Sequence, residues 1–327
     1  MIKQTAILFL CLTSVAKADV QDVVAQDILV NFPAFADRAT AFSDLSNIDC
    51  TASVLQPAFG DLMQSWMQVQ HWRIGPSQNT VHEITFWPDP RGFVPKTLSS
   101  LIADQDTAAF DPATFAEVSI AGRGLFALDL MLFDPEFSDY GKNDYECQLV
   151  MAISSDIAAN AVTLANEWAE YSNTFLTAGD ADNQIFLSKS EAEAAIFTQV
   201  LSGLEFTADQ RIARPLGTID RPYPTRAEAW RSKNSLPNIV TSTEATIATA
   251  RLLYGESTPT LDIAEDSFLT ASEAIDVLDF GNLETDSTAW FKLSILQERV
   301  KNIAGAIQND IGTAMNLSAG FNSGDGD

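Results

Sequence analysis

The sequence predicts an all-α protein made of two helical bundles. Apolar residues recur at steps of three and four over several long stretches, the spacing that lines one face of a helix. Runs that alternate apolar and polar residues, as strands do, are scarce. A polar, turn-rich loop near the middle of the chain separates the stripes into two groups.

Residues 1 to 18 read as a secretory signal: basic Lys3, an apolar stretch from Ala6 to Ala16, and the small-residue pattern Ala16-Lys17-Ala18 before Asp19. The mature chain is expected to begin at Asp19, outside the cytoplasm. The apolar stretch is too short for a bilayer, and no later run approaches the roughly 20 apolar residues a transmembrane helix needs. Cys11 belongs to the discarded peptide, because bulky Leu10 before it does not suit lipoprotein processing.

Amphipathic helices follow in order. One is expected from about 20 to 48, and Leu55, Phe59, Leu62, Trp66 and Val69 mark the next. An aromatic, proline-bound crossover comes after it: Trp72-Arg73-Ile74-Gly75-Pro76, then Phe86-Trp87-Pro88-Asp89-Pro90-Arg91-Gly92. Rigid loops of this kind either shape a pocket or plug the end of a bundle. Residues 122 to 133 form an apolar helical run interrupted by one carboxylate, Asp129. An unpaired buried charge costs several kcal/mol, so Asp129 should find a partner such as an arginine or be protonated. Leu149, Ile153, Ile157, Leu164, Trp168, Tyr171 and Phe175 mark a long helix from about 143 to 177.

The loop at 177–184 is the expected boundary, with an N-terminal bundle over 19–178 and a C-terminal bundle over 185–327. The second bundle has helices from about 190 to 204 and 240 to 254, the latter ending at Gly255 as a C-cap would. Leu293, Leu296, Val300, Ile303, Ile307 and Ile311 mark the last helix. The tail from Gly320 is acidic and glycine-rich but lacks most of the ligand set of a calcium loop.

Residues 211 to 233 are a compositional anomaly, with six basic side chains against two acidic ones. Thr225 and Glu228 have capping-box spacing, which predicts a helix through Ala229-Trp230-Arg231-Ser232. The cluster is expected to face the interior, where it neutralises Asp129 and other buried acids or receives an anion. Chance clustering on a solvated surface is the alternative.

Without Lys3 and Lys17 the chain carries 17 basic against 44 acidic residues, a net charge of −27. That argues against nucleic acid and anionic membranes as partners. Cys50 and Cys147 remain as an even pair in a disulfide-permissive compartment, either bridged or held as buried thiols. His71 and His82 are the only histidines, and no His-Glu-x-x-His pattern, serine-nucleophile motif or phosphate-cradling loop occurs. No catalytic residue and no metal ligand set is expected.

Gly124-Leu125-Phe126-Ala127-Leu128-Asp129 and the apolar residues after it resemble the Gly-x-His-x-x-Glu helix of the imelysin family. The crossover with Gly75-Pro76 and Phe86-Trp87-Pro88-Asp89, the segment Ala229-Trp230-Arg231-Ser232 with Ser235-Leu236 and Asn238-Ile239, and the closing Gly-Phe-Asn-x-x-Asp-Gly-Asp resemble the same family in the same order. The resemblance implies a bacterial periplasmic protein of two helical bundles, from a family associated with iron uptake and labelled as metallopeptidases. This chain departs from the motif: Phe126 stands at the histidine and Asp129 at the glutamate. A His and a Glu at i and i+3 share a helical face and can share a metal, whereas a phenyl ring cannot replace the imidazole.

The sequence therefore reads as a non-catalytic, imelysin-like protein that binds a small molecule or ion between its bundles, accessory to iron or nutrient uptake. Candidate ligand-binding residues are Arg73, Trp87, Asp89, Arg91, Arg123, Asp129, Trp230, Arg231 and Ser232. No cofactor is expected, iron being the one ion the resemblance suggests. The alternatives are a metal-dependent peptidase using Asp129 and an envelope interaction protein without a ligand.

Overall fold

The apolar stripes become helices whose ends are set by caps and glycines. The structure is a computed structural model and describes residues 19–276 and 279–318; the expected signal sequence and the acidic tail from Gly320 lie outside the described residues. The helices are α1 (Val20–Val23), α2 (Leu29–Ile48), α3 (Ala52–Met67), α4 (Ser77–Ile84), α5 (Phe93–Asp104), α6 (Pro112–Phe115), α7 (Gly124–Phe133) and α8 (Tyr145–Leu176). After the mid-chain loop come α9 (Lys189–Phe206), α10 (Arg214–Leu216), α11 (Ser235–Tyr254), α12 (Pro259–Glu273), α13 (Asp279–Asn282), α14 (Ser287–Ala306) and α15 (Thr313–Met315). Among the described residues the only β pairing is an isolated bridge between Thr218 and Arg221.

Helix packing follows the stripes. α2 packs on α3 and α8, and α7 packs on α3 and α8, so these four close a ring. α9 packs on α11 and α14, and α12 packs on both α11 and α14, closing a second ring. α7 is apolar nearly all round and is correspondingly enclosed, with only Phe126 and Phe133 left partly accessible. α8 is the one described helix long and apolar enough to cross a membrane, and its stripe from Leu149 to Phe175 is instead buried in the first ring. The rings meet where α3 and α1 lie against α11, and the apolar core runs through both without a break.

Caps explain where the helices begin. Asp19 accepts the Gln21 N–H ahead of α1, Ser188 accepts the Glu191 N–H ahead of α9, and Thr258 accepts the Leu261 N–H ahead of α12. At α9 the Glu191 carboxylate also reaches back to the Leu187 N–H. Gly255 ends α11 at φ 90°, as its position predicted. Cys50 and Cys147 form a disulfide that ties the end of α2 to the start of α8, with Cα atoms 5.3 Å apart.

Three π-helical stretches were not legible in the sequence: Val24–Ile28 joins α1 to α2, Thr207–Ala213 joins α9 to α10, and Ile307–Gly312 joins α14 to α15. Such stretches recur at functional positions. Here two of them carry buried charged residues, Asp27 and Arg211.

One predicted helix does not form. Residues 227–234 make irregular turns, with Ala229 at φ 51° and Lys233 at φ 61°, and α11 begins only at Ser235. Glu228 does not cap a helix; its carboxylate turns inward to Arg211. A cap contributes about 1 kcal/mol, far less than leaving a buried guanidinium without an anion costs.

Candidate functional site

The seam between the two rings is polar. Ser235, Asn238, Ser242, Thr246 and Thr249 recur along one face of α11 and are all buried. From α3, Gln64 donates to the Asn238 side-chain oxygen at 2.8 Å and accepts from the Thr241 hydroxyl at 2.6 Å. Asn238 in turn donates to Glu228 at 3.2 Å. Glu228 accepts from Arg211 Nε at 2.7 Å, Arg211 also donates to Thr207 at 3.1 Å, and Ser235 donates to the Glu228 carbonyl.

The crossover reaches the same region. The Arg73 guanidinium lies 4.4 Å from the centre of the Phe206 ring and that of Arg211 lies 4.9 Å from it, while Trp87 meets Phe206 edge-on at 6.0 Å. Burial, then the neighbouring charge of Arg211, holds Arg73 down at about 10, with Glu228 opposing the shift. His82 also lies below its ordinary value, through partial burial and then the field of Arg73.

Asp129 is the outlier of this seam. Its side chain is wholly buried, and neither oxygen has a hydrogen-bond partner among the described residues. Burial pushes its carboxyl up to about 6; Ser232 and Arg231 approach closely enough to moderate the shift, and Glu228 adds to it. Among the described residues no arginine of the basic cluster pairs with it. Arg231 spans instead to Asp134 at 2.5 Å and lies over the Trp230 ring, and the Ser232 hydroxyl is committed to the Ala229 carbonyl. The motif glycine has a packing reason: Gly124 sits at φ 75°, and a Cβ there would fall 2.5 Å from the Ile84 carbonyl oxygen.

A raised carboxylate pKa fixes a sign. Asp129 sits at about 6 in the folded state against an ordinary 3.8, so its charge destabilises the fold at neutral pH and the penalty fades as pH falls through 6 toward 4. Asp129→Asn is therefore expected to stabilise the protein by up to about 3 kcal/mol at pH 8 and to make no difference below pH ~4. Urea denaturation at both pH values checks this, and an equal gain at both would show that charge is not the cause.

The remaining sequence candidates sit in other surroundings. Asp89 accepts the Val94 N–H ahead of α5, and Arg91 is exposed. Arg123 is buried between Asp156 at 3.4 Å and Glu83 at 3.6 Å and donates to the Ala116 carbonyl. Of the arginine-rich segment only Arg211 lies in the interior; Arg221 and Arg226 are exposed and flank the Tyr223 ring, so the expectation that the whole cluster faces inward is corrected. The aromatic ring of Tyr223 provides a surface on which these cations stack without losing water.

Sequence reasoning passed over a second polar group in the seam. Thr249 donates to Asp27 at 2.5 Å and lies 3.1 Å from His71 Nε2, all three being buried. Burial raises Asp27 to about 6 and lowers His71 to about 3. The polar stripe of α11, spaced 3, 4, 4 and 3 from Ser235 through Asn238 to Thr249, was the available signal.

Among the described residues no three His, Cys, Asp or Glu side chains group to hold a metal. At the motif the donor set is one carboxylate beside the Phe126 ring, which does not fit a transition-metal site.

The sequence model described as imelysin, peptidase M75, matches residues 24–274. The chain belongs to the imelysin family. An imelysin-like protein from Psychrobacter arcticum 273-4 shares its fold at a TM-score of 0.75 and 18% identity, over 92% of this chain and 96% of that one. A protein from Parabacteroides distasonis ATCC 8503, assigned as an iron-regulated protein A precursor, matches at a TM-score of 0.55 and 17% identity, over 90% and 92% of the two chains. No curated protein matches in sequence.

Proposed function

We propose that this imelysin-family chain is a periplasmic, non-catalytic protein that binds a small ligand at the seam between its helical rings, as an accessory to iron or other nutrient acquisition. Asp129 carries the reading. A wholly buried carboxylate without a donor on either oxygen costs stability, and a ligand that brings a donor or a positive charge offsets that cost. Arg73 and Arg211 on Phe206 supply the complementary cations in the same seam. A ligand with anionic groups and a cationic or donor centre suits both ends, and a ferric chelate of a small carboxylate has both. Phe126 in place of the family's histidine supports binding without hydrolysis, and the iron-regulated relative supports the process.

The test is calorimetric titration of mature protein with citrate and with ferric citrate. Binding of either is expected, weakened by Asp129→Ala and by Arg73→Ala while thermal stability is retained. Absence of binding to both overturns the ligand reading. Stoichiometric bound metal together with peptidase activity, both lost in Asp129→Ala, would replace it with the peptidase reading. Periplasmic fractionation with an N-terminal sequence beginning at Asp19 checks the location.

A further inference from the structure

Away from the seam, a cavity of about 390 Å3 opens between α8, the Thr107–Phe110 turn and α6. Its walls are mostly apolar, with Phe110, Phe115 and Met151 the largest of them, and the Asp156 carboxylate lines it from α8. Phe110 is 61% exposed and stands at the rim, whereas the Asp156 side chain is 8% exposed. That burial is unusual for a carboxylate facing an apolar recess.

Behind the cavity, Arg123 is shared by Asp156 and the part-exposed Glu83, at 3.4 and 3.6 Å, so Asp156 does not have the guanidinium to itself. Neither contact is tight: Arg123 Nε is buried with no hydrogen-bond partner, and Asn160 reaches Asp156 only at 3.4 Å. Burial pushes Asp156 up to about 6, with Arg123 opposing the shift and Glu83 adding to it. Asp156 is thus under-satisfied, in a cavity lined by two aromatic side chains of a kind that attracts cations.

We infer that this cavity is a second ligand site, which takes a small organic cation: an ammonium group against Asp156 and an apolar or aromatic body against Phe110, Phe115 and Met151. The ammonium supplies Asp156 with a close donor and a positive charge of its own. The body replaces water on the apolar walls. The site is independent of the seam and of Asp129.

Calorimetric titration with 2-phenylethylamine, its neutral alcohol analogue and phenylacetate tests the inference. The amine is expected to bind in preference to both analogues, and more weakly at pH 5, where Asp156 gains a proton, than at pH 8. Asp156→Asn should weaken amine binding on the order of thirtyfold. Ala159→Trp, at an exposed position that lines the cavity, should block binding while leaving the melting temperature unchanged. Asp129→Asn should leave the amine affinity as it is. Failure of the amine to bind wild-type protein at millimolar concentration, equal binding of the neutral alcohol, or amine binding that survives Ala159→Trp in a folded variant would each overturn the proposal.

Discussion

Glu228→Ala should lower the stability of this protein by about 3–5 kcal/mol, because it removes the carboxylate that pairs with buried Arg211 beside a second guanidinium. Glu228 and Arg211 are 4% and 2% exposed and meet at 2.7 Å, and Asn238 donates to the same carboxylate oxygen. Arg73 shares the Phe206 ring with Arg211 and already lies below its ordinary value through burial and then that neighbouring charge, which Glu228 partly offsets. Truncation leaves two cations against one aromatic ring, with Arg211 stranded in the interior. Glu228→Gln keeps the shape and most hydrogen bonds and should cost less, since only the charge is lost. Urea unfolding of both variants checks the prediction. A cost for Glu228→Ala under about 1 kcal/mol would mean that water reaches the pair and that it behaves as a surface salt bridge.

The second large effect is expected from the disulfide. Cys50 and Cys147 are 97 residues apart, so the bridge removes a long loop from the unfolded ensemble. Cys50→Ser with Cys147→Ser should cost about 4 kcal/mol in the chain-entropy account, with losses of 2–5 kcal/mol usual for native bridges. The buried position of Cys147 adds to this, since a serine hydroxyl there needs a partner that the apolar surroundings do not offer. Comparing the double serine with the double alanine variant separates the loop effect from the hydroxyl. If the double alanine variant unfolds at the same urea concentration as the wild type, the unfolded chain is already compact in this region and the bridge contributes little.

These two predictions differ in how much of their basis the sequence contained. The cysteine bridge was one of two readings the sequence left open, since an even pair outside the expected signal is either bridged or held as buried thiols, and the structure has the bridge. The Arg211 to Glu228 pair did not follow. Capping-box spacing pointed Glu228 back toward Thr225, a local contact worth about 1 kcal/mol, and the tertiary demand of a buried guanidinium overrode it. Arg231 shows the same limit. Its place in the basic cluster said only that it would meet a buried acid such as Asp129, whereas the fold gives it to Asp134, the residue that ends α7 and is partly exposed.

What the sequence determined by itself is what depends on periodicity and on local chemistry. Stripes from Leu55 to Trp66, from Leu149 to Phe175 and from Leu293 to Ile311 fixed the helices, because a helix must turn one face inward whatever its neighbours are. The need for glycine at position 124 also depends on local backbone, since φ there is 75°. Only the tertiary structure decided the rest: the polar seam along α11, the π-helical stretches that bring Asp27 and Arg211 inward, and the solitude of Asp129. Each of these depends on which groups share a low-dielectric interior, and an ionised group's cost there is set by neighbours distant in sequence. Spacing along one helix carries no record of them.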